Sequence, residues 1–216
     1  MSKSELTSAI ARDSSASRAT YDRGKARVVD ILEGARQLFV DHGMAEFSMR
    51  RLARDLNMSV GNLTYYYASK DALLSDLMAY VLVPYLTRFA EFGRAVEGEP
   101  IEHLRAVLDY VVQDLGEYET TRFFPELWVL ANRDERTKNH MEELYGAYRK
   151  VLVDLISRIR PDLLPQTQQD LALMMQSSIE GHTMFIGHKR AHADRLSALK
   201  PRLVEHCIAL VRDAKD

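Results

Sequence analysis

Cysteine is almost missing from this sequence: Cys207 is the only one in 216 residues, so no disulfide can close within the chain. That usage suits a reducing compartment. Glycine and proline are scarce, at 10 and 6 residues, and strict alternation of apolar and polar residues is nearly absent. Apolar residues recur instead at spacings of three and four, which predicts an all-α class of about nine helices. Long hydrophobic runs are lacking too. The longest, Leu77 to Leu86, contains Pro84 and falls short of the ~20 residues that cross a bilayer, so no membrane partner is expected. Met1 to Asp22 has neither the apolar core nor the small-residue cleavage site of a secretory signal, and a cytoplasmic protein is expected.

No charge of one sign dominates. Lys and Arg number 29 against 31 Asp and Glu, a formal net charge of -2, so bulk positive charge cannot hold nucleic acid and any DNA contact must be local. There is no glycine-rich phosphate loop, nucleophile elbow or HExxH, and His182, His188 and His192 complete no zinc spacing. No enzyme activity, metal or cofactor is therefore expected. What remains is an ordinary globular composition, 46% apolar and 28% charged, long enough to bury a sizeable core.

Along the chain, residues 1–22 are rich in Ser, Ala and Arg without periodicity and read as a mobile arm. Val28, Ile31, Leu32, Ala35, Leu38 and Phe39 mark one face of a first helix, which Asp41-His42-Gly43 should stop. Two short segments follow, from Ser48 and from Ser59, each with a serine placed to cap a helix. A longer apolar helix runs from Ser69 to about Phe92, and Glu97-Gly98-Glu99-Pro100 closes this half. Further helical stripes occupy the remainder up to Val211.

The stretch from Ser48 to Tyr67 has the spacing of a helix-turn-helix. Leu52, Leu56, Met58 and Leu63 supply the shared apolar contact, Ala53 is small where the second helix must come close, and Asn57 suits a left-handed turn. Such a unit carries the N-terminal part of its second helix into the major groove. Arg50 has the chemistry for a bidentate contact to guanine O6 and N7. Val60, Gly61 and Asn62, following Ser59, open the recognition helix, where Val60 can pack on a thymine methyl and Gly61 permits close approach. Ser48, Thr64, Tyr66 and Lys70 suit phosphate oxygens, which fix register without reading sequence.

In Ala35-Arg-Gln-Leu-Phe39, Gly43, Ser48 to Ala53, Ser59-Val-Gly-Asn-Leu63 and Ser69-Lys-Asp-Ala-Leu-Leu74 the sequence resembles the TetR family of bacterial transcriptional regulators over roughly residues 25–75. The family's usual Tyr-x-His-Phe reads Thr64-Tyr65-Tyr66-Tyr67 here, so either Tyr65 or Tyr66 stands in for the family's tyrosine. The resemblance implies a DNA-binding domain at residues 23–75, and an effector-binding and dimerisation domain at 76–216. It implies a repressor released from its operator by a small, largely apolar effector. It also implies a mostly apolar cavity in the middle helices, for which Leu108, Val111, Phe124, Leu127, Trp128, Met141, Tyr145, Tyr148, Met175, Ile179 and His182 are the candidates. Glu126, His140 and Glu180 are further polar groups for it. The terminal helices carry apolar residues on more than one face, and Met174, Phe185, Leu199, Leu203 and Leu210 are expected at a homodimer interface, with an operator of inverted half-sites. Pro84 is the expected hinge of the long helix. Two other readings stay open: a constitutive DNA-binding or architectural protein with a filled core, and an all-helical enzyme.

Overall fold

The computed structural model describes residues 18–94 and 98–216, and among them it contains helices and no strand. In chain order α1 spans Arg18–Glu46, α2 Met49–Asp55, α3 Val60–Tyr66, α4 Lys70–Arg94, α5 Pro100–Asp114, α6 Tyr118–Ala131, α7 Glu135–Ile159, α8 Pro165–Ile186 and α9 Leu196–Arg212. The expected all-α class holds. Of the expected arm, residues 1–17 lie outside the described residues and the last few belong to α1.

The chain forms two units. Among the described residues, one unit comprises those up to Thr87 together with Glu126–Met141, and the other comprises those of Arg88–Pro125 with Glu142–Asp216. The first unit thus runs further than the expected boundary after residue 75. The reason is α4, whose Leu73, Leu74, Leu77 and Met78 are all buried, and whose Tyr80 hydroxyl donates to Glu33 Oε2 of α1 at 3.0 Å. By length and composition α4 could cross a bilayer, and Leu73, Leu74, Leu77 and Met78 line its buried side. It continues unbroken through Pro84, which is exposed.

In the first unit, α1 buries the expected face through Ile31, Leu32, Ala35, Leu38 and Phe39. Helical geometry fails at Gly43 (φ 70°, ψ 179°), the glycine of the expected stop signal, before one more turn completes α1. The short helices are held by local chemistry. Ser48 Oγ accepts the Arg51 amide at 3.2 Å, and Ser59 Oγ accepts the Asn62 amide at 3.1 Å; each pairs a donor the helix leaves unmatched. The end of α2 is a Schellman turn: Met58 N–H donates to Ala53 O at 2.8 Å, Asn57 N–H to Arg54 O at 3.0 Å, and Asn57 itself is left-handed at φ 52°. Leu52 and Leu63 are fully buried where the two helices meet, a burial that stabilises by roughly 1.5–3 kcal/mol per leucine. Gly34 belongs to the same contact. A Cβ there would lie 2.6 Å from Leu56 Cδ2, so a side chain at position 34 would force Leu56 to move.

In the second unit α5 starts on Pro100 and buries Leu104, Val107, Leu108, Val111 and Val112, the stripe its periodicity gives. α9 packs along α5 and α8, burying Leu203, Val204, Cys207, Ile208 and Val211. Lys200 of α9 pairs with Asp109 of α5 at 3.5 Å, and Arg105 of α5 pairs with Glu205 of α9. Within this unit α7 contributes Leu144, Tyr148, Leu152 and Ile156, and α8 contributes Met175, Ile179 and Thr183.

Candidate nucleic-acid interface

The recognition helix α3 is fixed from below and open above. Leu63 anchors its buried side, while Val60, Gly61, Asn62, Thr64 and Tyr65 are exposed. A Cβ on Gly61 would meet only Ser59 Oγ, at 4.0 Å, so the start of the helix offers open space to an approaching surface. Ser48 and Ser59 spend lone pairs on their caps and keep their O–H protons to donate, which is what a phosphate oxygen requires. Thr64 differs. Its hydroxyl donates back to Gly61 O at 2.9 Å, so the proton expected to meet a phosphate is engaged by the helix itself.

The tyrosines divide by exposure. Tyr65 is 81% exposed, Tyr66 is half-buried with its ring against the edge of Tyr65 at 5.2 Å, and Tyr67 is buried. Tyr65 therefore has the free surface to stand where the family's tyrosine is missing.

The three arginines of α2 are also unequal. Arg51 is held by Glu46 and, at 3.8 Å, by Asp55, and Arg54 is drawn sideways to Asp55 at 3.3 Å. Arg50 is exposed and makes no ion pair among the described residues, which leaves its fork free for a base edge. Lys70 starts α4 with its Nζ 5.6 Å from the centre of the Phe47 ring, in a cation–π contact that orients the chain.

Glu126 was expected among the polar groups of a cavity. In the structure its Oε2 accepts the Met44 amide at 3.0 Å, and its Oε1 lies 2.9 Å from where a Cβ of Gly43 would stand. The carboxylate thus accepts the amide that the break at Gly43 leaves without a helical partner. Glu126→Ala should cost about 1–3 kcal/mol in urea unfolding of the whole chain, and Glu126→Gln clearly less, since its amide oxygen still accepts. Equal losses in both variants would show that the acceptor at this position is irrelevant.

The other expected cavity residues fall on both units. Leu127, Trp128 and Met141 belong to the first; Leu108, Val111, Phe124, Tyr145, Tyr148, Met175, Ile179 and His182 belong to the second. His140 is half-buried on α7, and His182 Nδ1 sits 2.5 Å from Ser178 O on its own helix. Among the expected interface residues Met174 and Phe185 are exposed, at 55% and 63%, and Leu199 and Leu210 are half-buried. Leu203 is 7% exposed and packs within its own chain, so it has no surface left for a partner. Among the described residues no group of three His, Cys, Asp or Glu side chains is arranged for a metal.

Against known proteins, residues 31–77 match the model of the bacterial regulatory proteins of the tetR family. The chain is 28% identical over 134 residues to a protein described as an uncharacterized HTH-type transcriptional regulator in the dhlA 5′ region of Xanthobacter autotrophicus. That match covers 61% of this chain and 66% of the relative, just under two thirds of its length. Among solved structures, a TetR transcription regulator from Haloarcula marismortui superposes with a TM-score of 0.65 at 17% identity, covering 87% of this chain and 95% of that one. Salmonella enterica GusR gives a TM-score of 0.67 at 18% identity, covering 87% and 96%. At these identities the structural likeness concerns the fold.

Proposed function

We propose that the chain, whose residues 31–77 match the tetR-family model of a DNA-binding helix-turn-helix, is a TetR-type transcriptional regulator, a cytoplasmic repressor acting as a homodimer on an operator of inverted half-sites. A small effector binding in the C-terminal unit releases it. The observation that carries the DNA reading is the capped, upward-open start of α3 beside the unpaired Arg50. Arg50 reads a base, Val60 and Tyr65 pack on base edges or sugar, and Ser48, Ser59 and Lys70 hold phosphates. Thr64 adds no phosphate donor on this reading.

Release follows if the effector binds the chain better in the state that fits DNA poorly, and reciprocity then requires operator to weaken effector binding by the same factor. Pro84 is the candidate hinge for that change.

The test is selection of duplexes from a random pool, followed by titration at several salt concentrations. Selected sites should be inverted repeats. Arg50→Ala should lose about 1–3 kcal/mol on them and relax preference at one base pair, whereas Lys70→Ala should weaken every sequence alike and reduce the salt slope by about 1. A pool that yields no preferred sequence, or full specificity in Arg50→Ala, would overturn the assignment.

A further inference from the structure

Inside the second unit, α7 and α8 enclose a polar cluster that packing alone does not require. Tyr145 and Tyr148 stand three residues apart on α7, hence on one face. The Tyr145 hydroxyl donates to Glu180 Oε2 of α8 at 3.2 Å. The Tyr148 side chain is 1% exposed and its hydroxyl has no hydrogen-bond partner, while its ring stacks on Phe89 at 5.0 Å between centroids. Among the described residues no lysine or arginine pairs with Glu180. Arg149 of α7 is engaged by Gln176 Oε1 at 2.9 Å, and Gln176 donates in turn to the Tyr145 carbonyl at 3.1 Å. The other charge acting on Glu180 is the carboxylate of Asp114 on α5.

A half-buried carboxylate without a cation, in the field of a second carboxylate and of an orphaned hydroxyl, is costly unless a ligand completes it. The groups on offer are acceptors of negative or partly negative character, next to aromatic faces. That set complements a donor-rich cation and repels an anion. Burial and Asp114 push the Glu180 carboxyl up to about 7, in keeping with a carboxylate short of a counter-charge.

We propose that Glu180, with the Tyr148 hydroxyl, receives the protonated amino group of a small amine bearing an apolar or aromatic body, and that this is the effector class of the chain. The inference rests on the effector reading above and narrows it. An ammonium N–H pairs with the Glu180 carboxylate and another with the Tyr148 oxygen, so the carboxylate gains a counter-charge beside its Tyr145 donor and the orphaned hydroxyl gains a partner.

Calorimetric titration of the full chain at pH 8 with 2-phenylethylammonium and with 2-phenylethanol tests this, because the two probes have similar bodies and only one is charged. The wild type should favour the amine by about 10- to 100-fold, as one charge-assisted hydrogen bond implies. Glu180→Gln should bring the two probes to within a few-fold of each other. Tyr148→Phe should weaken the amine several-fold with little effect on the alcohol, and it deletes an unpartnered hydroxyl, so the fold is kept even if Glu180→Gln misfolds. Equal binding of the two probes, no amine binding at millimolar concentration, or undiminished selectivity in both variants would overturn the proposal. Operator titration of the same preparations separates this from the broader reading. A chain that binds operator but shows no amine preference loses only the ligand class, while a chain that prefers the amine but keeps its operator when the amine is bound loses only the effector-release reading.

Discussion

Glu180→Gln should make the protein more stable at pH 8 by roughly 3 kcal/mol and remove a fall in stability that the wild type shows between about pH 4.5 and 7. Burial is the main cause, since it penalises the charged form and raises the Glu180 carboxyl from 4.5 to about 7; Asp114 on α5 adds to the rise, and the Tyr145 hydroxyl on α7 opposes it. A raised acid works against folding at high pH. Across that window the folded chain holds a proton that the unfolded chain has released, so the unfolded state binds fewer protons and stability declines as pH rises. Below 4.5 both states are protonated and above 7 both are ionised, so the penalty is absent at the acid end and constant at the alkaline end. Burial pushes the Tyr148 hydroxyl well up and the Cys207 thiol of α9 to about 11, both outside this window. Glutamine has the same shape and no charge to bury. Urea unfolding of both chains at pH 5 and pH 8 decides the matter, and parallel pH profiles would show that Glu180 is solvated in the folded state.

The parts of this protein that were legible in its sequence are those whose causes are local. Ser48, Ser59 and Asn57 announce the helix-turn-helix because a cap and a left-handed turn are made by the residue in place, within three positions of its partner. The apolar spacing of α1 and α5 likewise names its own buried face. Pairings across long stretches of chain left no such trace. Glu126 meets the Met44 amide from 82 positions away, and nothing around Glu126 marks it as a cap for a distant turn. The stop at Gly43 was visible; its partner was not. Gly34 is silent for the same reason, since its role exists only once Leu56 lies against it. Thr64 and Leu203 failed differently. The first has two possible uses for one proton and spends it on Gly61, and the second lies on a helix with two apolar sides, of which α5 and α8 take the one that holds it. Among the acidic and histidine side chains considered for a cavity, sequence could not rank Glu180, because its burial and its tyrosine neighbours come from α7 folding against α8.

Phe185→Arg should turn the proposed dimer into a folded monomer with a thousand-fold or greater loss of affinity for a two-half-site operator. On α8, Leu173, Met174, Met184 and Phe185 are between 48% and 63% exposed, and Ser177 and Gly181 are exposed between them. Steps of three and four residues put Met174, Ser177, Gly181 and Phe185 on one face, with large residues at its ends and small ones at its centre, where a second helix can come close. Beside Met174 lies a groove of about 640 Å³ between α8 and α9, lined in part by Leu171, His206, Ala209 and Leu210. A self-complementary patch of this kind fits a second copy across a two-fold axis, which presents each half of the patch to the other. A guanidinium at position 185 would be buried unpaired in both copies, and breaking a buried arrangement in this way costs about 3–5 kcal/mol per uncompensated charge. That is enough to account for the loss, since every 1.4 kcal/mol is about tenfold. The same substitution costs the single chain little, because Phe185 is exposed there and surface changes usually stay within about 0.5 kcal/mol. Two recognition helices must span ~34–36 Å to read two half-sites, and a monomer holds only one. Sedimentation at micromolar concentration, circular dichroism and operator titration on the wild type and the variant separate the possibilities: a wild type that sediments as a single chain, or a Phe185→Arg protein that stays dimeric, would move the interface away from this face of α8.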